Sequence, residues 1–404
     1  MIRALTRSLL AALLTVVLSA GATEARSASD IDAFRRTLDQ RELKAFDSYR
    51  SAQVFHDAAM DAYWGHVDKK RALRKAKRKK DRAITASDYV LEQPPKYTGP
   101  ALAPGIARKW KEFNDRLEAV KPTPKPEPPA DVADFLDSAR RHYNFVPERV
   151  PEAVFKERYA AEALALGLSG DQVVRVYALE TGGIGTADMQ AGIHPISRKG
   201  TPISSALGYA QLLAANSINE LSKHGADFVA RLKALARRSP PERRQRLEEK
   251  AEALTLMTRK ARSIPYEWSR HVAYAGTDVG RGIHAINLDG DIGPWLQVIK
   301  LKGLRETAEA AGRGRLSGAE IELMNLAGPG TGLEMMTPLA LKAPTTNFFA
   351  RAAYYRNTIV REKTSAELLT ALDQRMQQNL KNAGSIEFRQ IFDRLEQRSR
   401  TGSQ

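Results

Sequence analysis

Five prolines fall within nine residues in Lys121-Pro122-Thr123-Pro124-Lys125-Pro126-Glu127-Pro128-Pro129. No helix or central strand tolerates that density, because each proline fixes φ and removes a backbone donor. The segment reads as an extended, semi-stiff spacer; the alternative is a strap along a domain surface. It divides the chain at 121–130 into a preceding region, 23–120, and a following domain, 131–395, with 396–404 as a flexible tail.

The N-terminus bears on compartment. Arg3 and Arg7 precede an apolar run from Ser8 to Leu18, and Ser19-Ala20-Gly21-Ala22 supplies small residues. This is the layout of a secretory signal peptide over 1–22, with an apolar stretch too short for an ordinary membrane span. An uncleaved anchor is the alternative. No later stretch of the sequence is long and apolar enough to cross a bilayer, so the expectation is a soluble exported protein of the periplasm. The chain has no cysteine, which excludes disulfide scaffolds, thiolate metal sites and thiol nucleophiles. Its 63 lysines and arginines outnumber 47 acids, for a net charge of +16. Such a charge favours an anionic partner, and export argues against nucleic acid.

Residues 23–120 are polar, charged and mostly helical in pattern, with Ile31, Phe34, Leu38, Leu43 and Phe46 near helical spacing. Lys69 to Arg82 holds ten basic residues and one acid. It reads as an electrostatic foot on an anionic polymer or as a solvated or disordered arm. From Asp131 onward the periodicity predicts a compact, mainly α domain with helices over 151–167, 171–180, 203–218 and 345–362. A charged helical hairpin spans 220–262, turning at Ser239-Pro240-Pro241. No alternating strand series and no repeat is present.

The chemistry concentrates in Tyr177-Ala178-Leu179-Glu180-Thr181-Gly182-Gly183. An apolar helix delivers a carboxylate and stops at paired glycines. The negative end of the helix dipole and an apolar surrounding both push a glutamate pKa upward, and a carboxylic acid protonated near neutrality suits glycosidic cleavage. Taken alone, a surface glutamate just before a Gly-Gly turn explains the segment better. Twenty-eight residues after Glu180 comes Gly208-Tyr209-Ala210-Gln211. On a helix, Gly208 and Gln211 share a face, and the glycine admits a sugar or another backbone. Later, Met324-Asn325-Leu326-Ala327-Gly328 places an asparagine before a glycine-rich turn, where it can brace a loop or bond an acetamido group.

This order resembles the SLT-type lytic transglycosylase catalytic domain of the goose-lysozyme-like superfamily, whose pattern is Glu-Ser at a helix end, then Gly-Leu-Met-Gln, then Ala-Tyr-Asn-x-Gly. The resemblance covers about 165–335. Here Thr181 stands for the serine, Tyr209-Ala210 for Leu-Met, and Met324 for the tyrosine that in the family helps set up the acid. The asparagine-to-glycine spacing is one residue longer, and the 220–262 hairpin accounts for an insertion. The resemblance implies a lysozyme-like helical fold and a peptidoglycan glycan strand as partner, with no cofactor and no metal. It implies that Glu180 protonates the β-1,4 oxygen between N-acetylmuramic acid and N-acetylglucosamine, then takes the proton of the 6-hydroxyl as a 1,6-anhydro ring closes. Thr181, Gly208, Tyr209, Gln211, Asn325 and Gly328 would line the substrate. Asp188, as a second carboxylate, would instead give lysozyme-type hydrolysis. A non-catalytic wall-binding scaffold with a cell-envelope protein partner is the alternative from another class, and polyanion binding through Lys69–Arg82 is a third.

Other segments carry less. None of the seven histidines has zinc spacing. Asn287-Leu288-Asp289-Gly290-Asp291 resembles the start of a calcium loop but has Val298 at the twelfth place. It reads as a turn whose acids line a groove rim. The aromatic and arginine-rich run Asn347–Asn357 reads as core packing or as a sugar-stacking surface.

Overall fold

The structure is a computed structural model that describes residues 27–120 and 127–401. The signal-peptide reading over 1–22 and most of the proline spacer lie outside the described residues. In chain order the helices are α1 Ala28–Arg35, α2 Gln40–Lys79, α3 Pro104–Val120, α4 Val132–Tyr143, α5 Glu152–Ala165, α6 Gly170–Thr181, α7 Ala214–Arg237, α8 Pro241–Arg262, α9 Trp268–Ala275, α10 Asp278–His284, α11 Ile292–Ala310, α12 Gly318–Ala327, α13 Pro329–Met335, α14 Pro338–Leu341, α15 Arg351–Arg356, α16 Ser365–Asn379 and α17 Ala383–Thr401. Extended pairing among the described residues is confined to isolated bridges such as Gln190–Leu207 and Leu207–Leu212. The mainly α architecture is therefore the one observed. No described helix is long and apolar enough to cross a membrane.

The described residues form two compact units, one from 27–120 plus Met335–Leu368, the other from 128–334 plus 369–401. This corrects the assignment of 131–395 to a single domain, since 335–368 folds with the N-terminal region. The reason lies in the basic run. Lys69–Lys79 is the end of the 40-residue helix α2, not a loose arm. Arg74 is almost wholly buried and donates to the carbonyls of Asp88 (2.9 Å) and Asn347 (2.6 Å). Arg71 donates to Thr346 O (3.0 Å) and Phe349 O (2.8 Å). The buried Asn347 amide accepts from Val90 N (2.9 Å) and donates to Val90 O (2.7 Å). Phe348, Phe349 and Tyr354 are buried in this unit, so the aromatic run packs as core. At its other end Phe34, Phe46 and Ile106 join α1, α2 and α3.

The second unit is built around α6, on which Val173, Val174, Val176, Tyr177, Ala178, Leu179 and Thr181 are all buried. A helix apolar on nearly every side belongs inside a protein. Helices α5, α12 and α17 pack against it, and α7 and α8 form the antiparallel hairpin expected from the sequence, turning at Ser239-Pro240. The tail residues 396–401 continue α17 and are not a flexible end.

Two sequence expectations change here. The helix over 203–218 starts only at Ala214; residues 206–212 form a tight loop bridged Leu207 to Leu212. The acids of 287–291 do not line a rim. Asp289 and Asp291 are buried, and Lys250 from α8 reaches both at 2.9 Å and Glu148 at 2.8 Å. Asp289 also accepts from the backbone N–H of Asp291 (2.9 Å) and Ile292 (3.0 Å), capping α11. Burial opposes the lysine's charge, but the two aspartates outweigh it and hold its pKa up. Removing one partner of a buried ion cluster leaves uncompensated charge. Lys250→Met is therefore expected to cost about 3–5 kcal/mol at neutral pH, read as a lowered urea midpoint with an unchanged slope.

Candidate functional site

Glu180 sits in the last turn of α6. Ser169 opens the helix, accepting from Gln172 N (3.2 Å) while Gln172 accepts from Ser169 N (3.0 Å). Helix α12 starts the same way, with Ser317 and Glu320 as its capping box. Gln172 Nε2 donates to Leu316 O (2.8 Å), and at Gly318 any Cβ would press on Arg175. The two helices thus run side by side in the same direction. This register brings Glu322 and Asn325, one turn apart on α12, to Glu180 on α6.

The far end of α6 is closed by backbone accounting. The last carbonyls of a helix lack internal donors. Here Asn379 donates to Ala178 O (2.8 Å), Asn382 to Gly182 O (2.7 Å), and Ser385 N to Gly183 O (3.1 Å). Gly182 and Gly183 both have left-handed φ, +64° and +69°, and a Cβ on Gly183 would collide with Asn379 O. The paired glycines are thus what lets α6 stop directly after Glu180.

Glu180 is partly exposed, whereas Glu322 is only 2% exposed. Their carboxyl groups hydrogen-bond to each other. Asn325 Nδ2 donates to Glu180 Oε1 at 3.4 Å. Burial pushes Glu180 up to about 7, against the pull of the Glu322 and Asn325 hydrogen bonds and the charge of Arg375 on α16. Burial, then the neighbouring Glu180 charge and hydrogen bond, pushes Glu322 well above the usual carboxylate range, against a hydrogen bond from Asn325. A carboxyl whose protonation changes near neutrality on a partly exposed residue has the acid–base character of a general acid.

Of the other expected site residues, Gly328 ends α12 with φ +85°. Gly208 and Gln211 do not share a helix face. Both have left-handed φ, +77° and +43°, in the 206–212 loop. The group that approaches Gly208 is the side chain of Gln297, which also accepts from Ala210 N at 3.1 Å. Gln211 donates to the carbonyls of Met189 (3.1 Å) and Gly208 (2.7 Å). Thr181 and Tyr209 face inward. Thr181 Oγ1 donates to Tyr177 O (2.6 Å). Tyr209 lies among Phe155, Tyr159, Tyr177 and Phe388 with its hydroxyl on Glu152 (2.6 Å). These two side chains are scaffold and not lining.

Asp188 is held by Arg149 (2.7 Å) and Arg198 (2.5 Å), and despite burial these arginines and Thr186 bring its carboxyl down to about 2. The sequence reading missed Glu322 and Arg375. Glu322 had a local signal, because the capping box fixes where α12 begins and so places Glu322 and Asn325 on one face. Arg375 had none. Among the described residues no group of three or more His, Asp or Glu is placed to hold a metal ion.

A carboxyl whose folded pKa lies above its unfolded value lends stability that is complete below about 4.5 and is lost as pH rises through about 7. Glu180→Gln removes that titration. The variant is expected to gain on the order of 2 kcal/mol over the wild type at about pH 8.5 and to lose that advantage at about pH 4. Urea unfolding at the two pH values reads the difference.

No family model, no curated protein and no solved structure matches the chain.

Proposed function

We propose that the protein is an exported peptidoglycan lytic transglycosylase that cleaves the β-1,4 bond between N-acetylmuramic acid and N-acetylglucosamine. The observation that carries the reading is Glu180, a partly exposed residue at the end of a buried helix, whose carboxyl is pushed up to about 7 and bonded by Asn325. Such a group holds a proton for the leaving glycosidic oxygen and, once ionised, takes one from the 6-hydroxyl that closes the 1,6-anhydro ring. The N-terminal signal pattern supports a periplasmic site of action, and the basic net charge suits a polymer bearing peptide carboxylates.

The geometry favours this single-carboxylate route over lysozyme-type hydrolysis. Two-carboxylate glycosidases separate their acids by about 5–5.5 Å when retaining and more when inverting, so that a sugar carbon or a water fits between. Glu322 is in hydrogen-bond contact with Glu180 and leaves no such space. Asp188 is ionised and committed to two arginines.

Glu180→Gln is expected to lower release of anhydro-muropeptides from purified sacculi by about 10²–10⁴-fold or more, with the fold retained. Because the acid must be protonated, wild-type turnover should fall as pH rises through about 7. Full turnover by the variant, or products carrying one added water, would overturn the reading.

A further inference from the structure

Two carboxyl groups cannot hydrogen-bond unless at least one carries a proton, since an ionised carboxylate only accepts. The surroundings decide which one. Glu180 is partly exposed, receives the Asn325 amide, and feels the positive charge of Arg375. Glu322 is buried on α12, and its Oε2 is buried with no hydrogen-bond partner. The charges on the helices packed around the pair are committed elsewhere. Arg175 binds Asp171 and Asp373, Glu320 binds Arg313, and Lys156 binds Glu387. A charge at the buried Glu322 has only the Asn325 amide to offset its desolvation, while at the more exposed Glu180 the Asn325 amide and the charge of Arg375 both support the ionised form.

We propose that Glu322 is a positioning residue that stays protonated throughout turnover, donating its hydrogen bond to Glu180 and never serving as a second catalytic carboxylate. The inference rests on the transglycosylase reading only for its activity readout. In each cycle Glu180 gives its proton to the glycosidic oxygen as the C–O bond breaks. The Glu180 carboxylate so formed accepts the O–H of Glu322. It then recovers a proton from the attacking 6-hydroxyl, and Glu322 ends with the proton it began with. A neutral acid held in an apolar site to donate one hydrogen bond stabilises the negative charge that develops beside it.

Glu322→Gln supplies an amide N–H in the same place, so it is expected to retain turnover and the wild-type alkaline limb. Glu322→Leu removes the donor. It should lower kcat by about 10- to 100-fold with KM little changed, and should move the alkaline limb to higher pH because the Glu180 anion loses support. A role confined to packing would not shift that limb. Infrared spectroscopy tests the proton without substrate. Above the titration of Glu180, the wild type and Glu180→Gln should both show a protonated-carboxyl stretch that Glu322→Gln lacks. Loss of activity in Glu322→Gln as deep as in Glu180→Gln, or a wild-type spectrum indistinguishable from that of Glu322→Gln, overturns the proposal. If the wild type cuts no sacculi yet shows the band, the substrate assignment fails and the proton assignment stands.

Discussion

The second unit depends on burying α6 on almost all sides while leaving its last acidic residue within reach of solvent. An interior helix must have its ends satisfied by protein, because water is not there to do it. The N-terminal end is met by Ser169 and Gln172, the C-terminal end by Asn379, Asn382 and Ser385. These last three lie at the end of α16, in the turn after it and at the start of α17, far along the chain. The segment after 369 therefore returns to complete a helix formed two hundred residues earlier, and it brings Arg375 with it. The tie between fold and site is direct, since the turn that closes α6 also sets the charge environment of Glu180.

The same logic explains which parts of the site could be read from sequence. The end of α6 was legible because its signals are local: a serine cap, an apolar run, a glutamate and two glycines. The hairpin was legible for the same reason, with proline at the first turn of α8. The 206–212 loop was not. Its apolar residues sit at helical spacing, yet Gly208 and Gln211 take left-handed φ because Gln297 from α11 fills the space a helix would occupy. Asn347 and Arg74 mark the same limit. They join residues more than 250 positions apart, and no local pattern announces that 335–368 folds with the N-terminal region.

Two pairs of acidic side chains contrast in what surrounds them. Asp291 and Asp188 are largely enclosed, and cations hold both of them ionised. Glu322 is buried and Glu180 partly so, but they face each other, and the one cation that acts on the pair, Arg375, acts on Glu180. Burial raises a carboxyl's pKa except where cations and hydrogen bonds outweigh it.

That contrast bears on the departure in the third motif. Met324, standing where the resemblance leads one to expect a tyrosine, is fully buried and packs on Gly332. No phenol is available from α12 at that position. Two residues earlier, Glu322 occupies the same helix face as Asn325 and reaches Glu180. A protonated carboxyl and a phenol offer the same thing to a neighbouring carboxylate, one O–H donor from a buried, uncharged group. They differ in what maintains the neutral form. A phenol is neutral at pH 7 by its own chemistry, whereas a carboxylic acid is neutral only while its site stays dry and free of cations. In the role proposed for Glu322, the dryness around it is therefore a requirement. It is met by the close parallel packing of α6 on α12 that their paired serine caps and Gly318 permit.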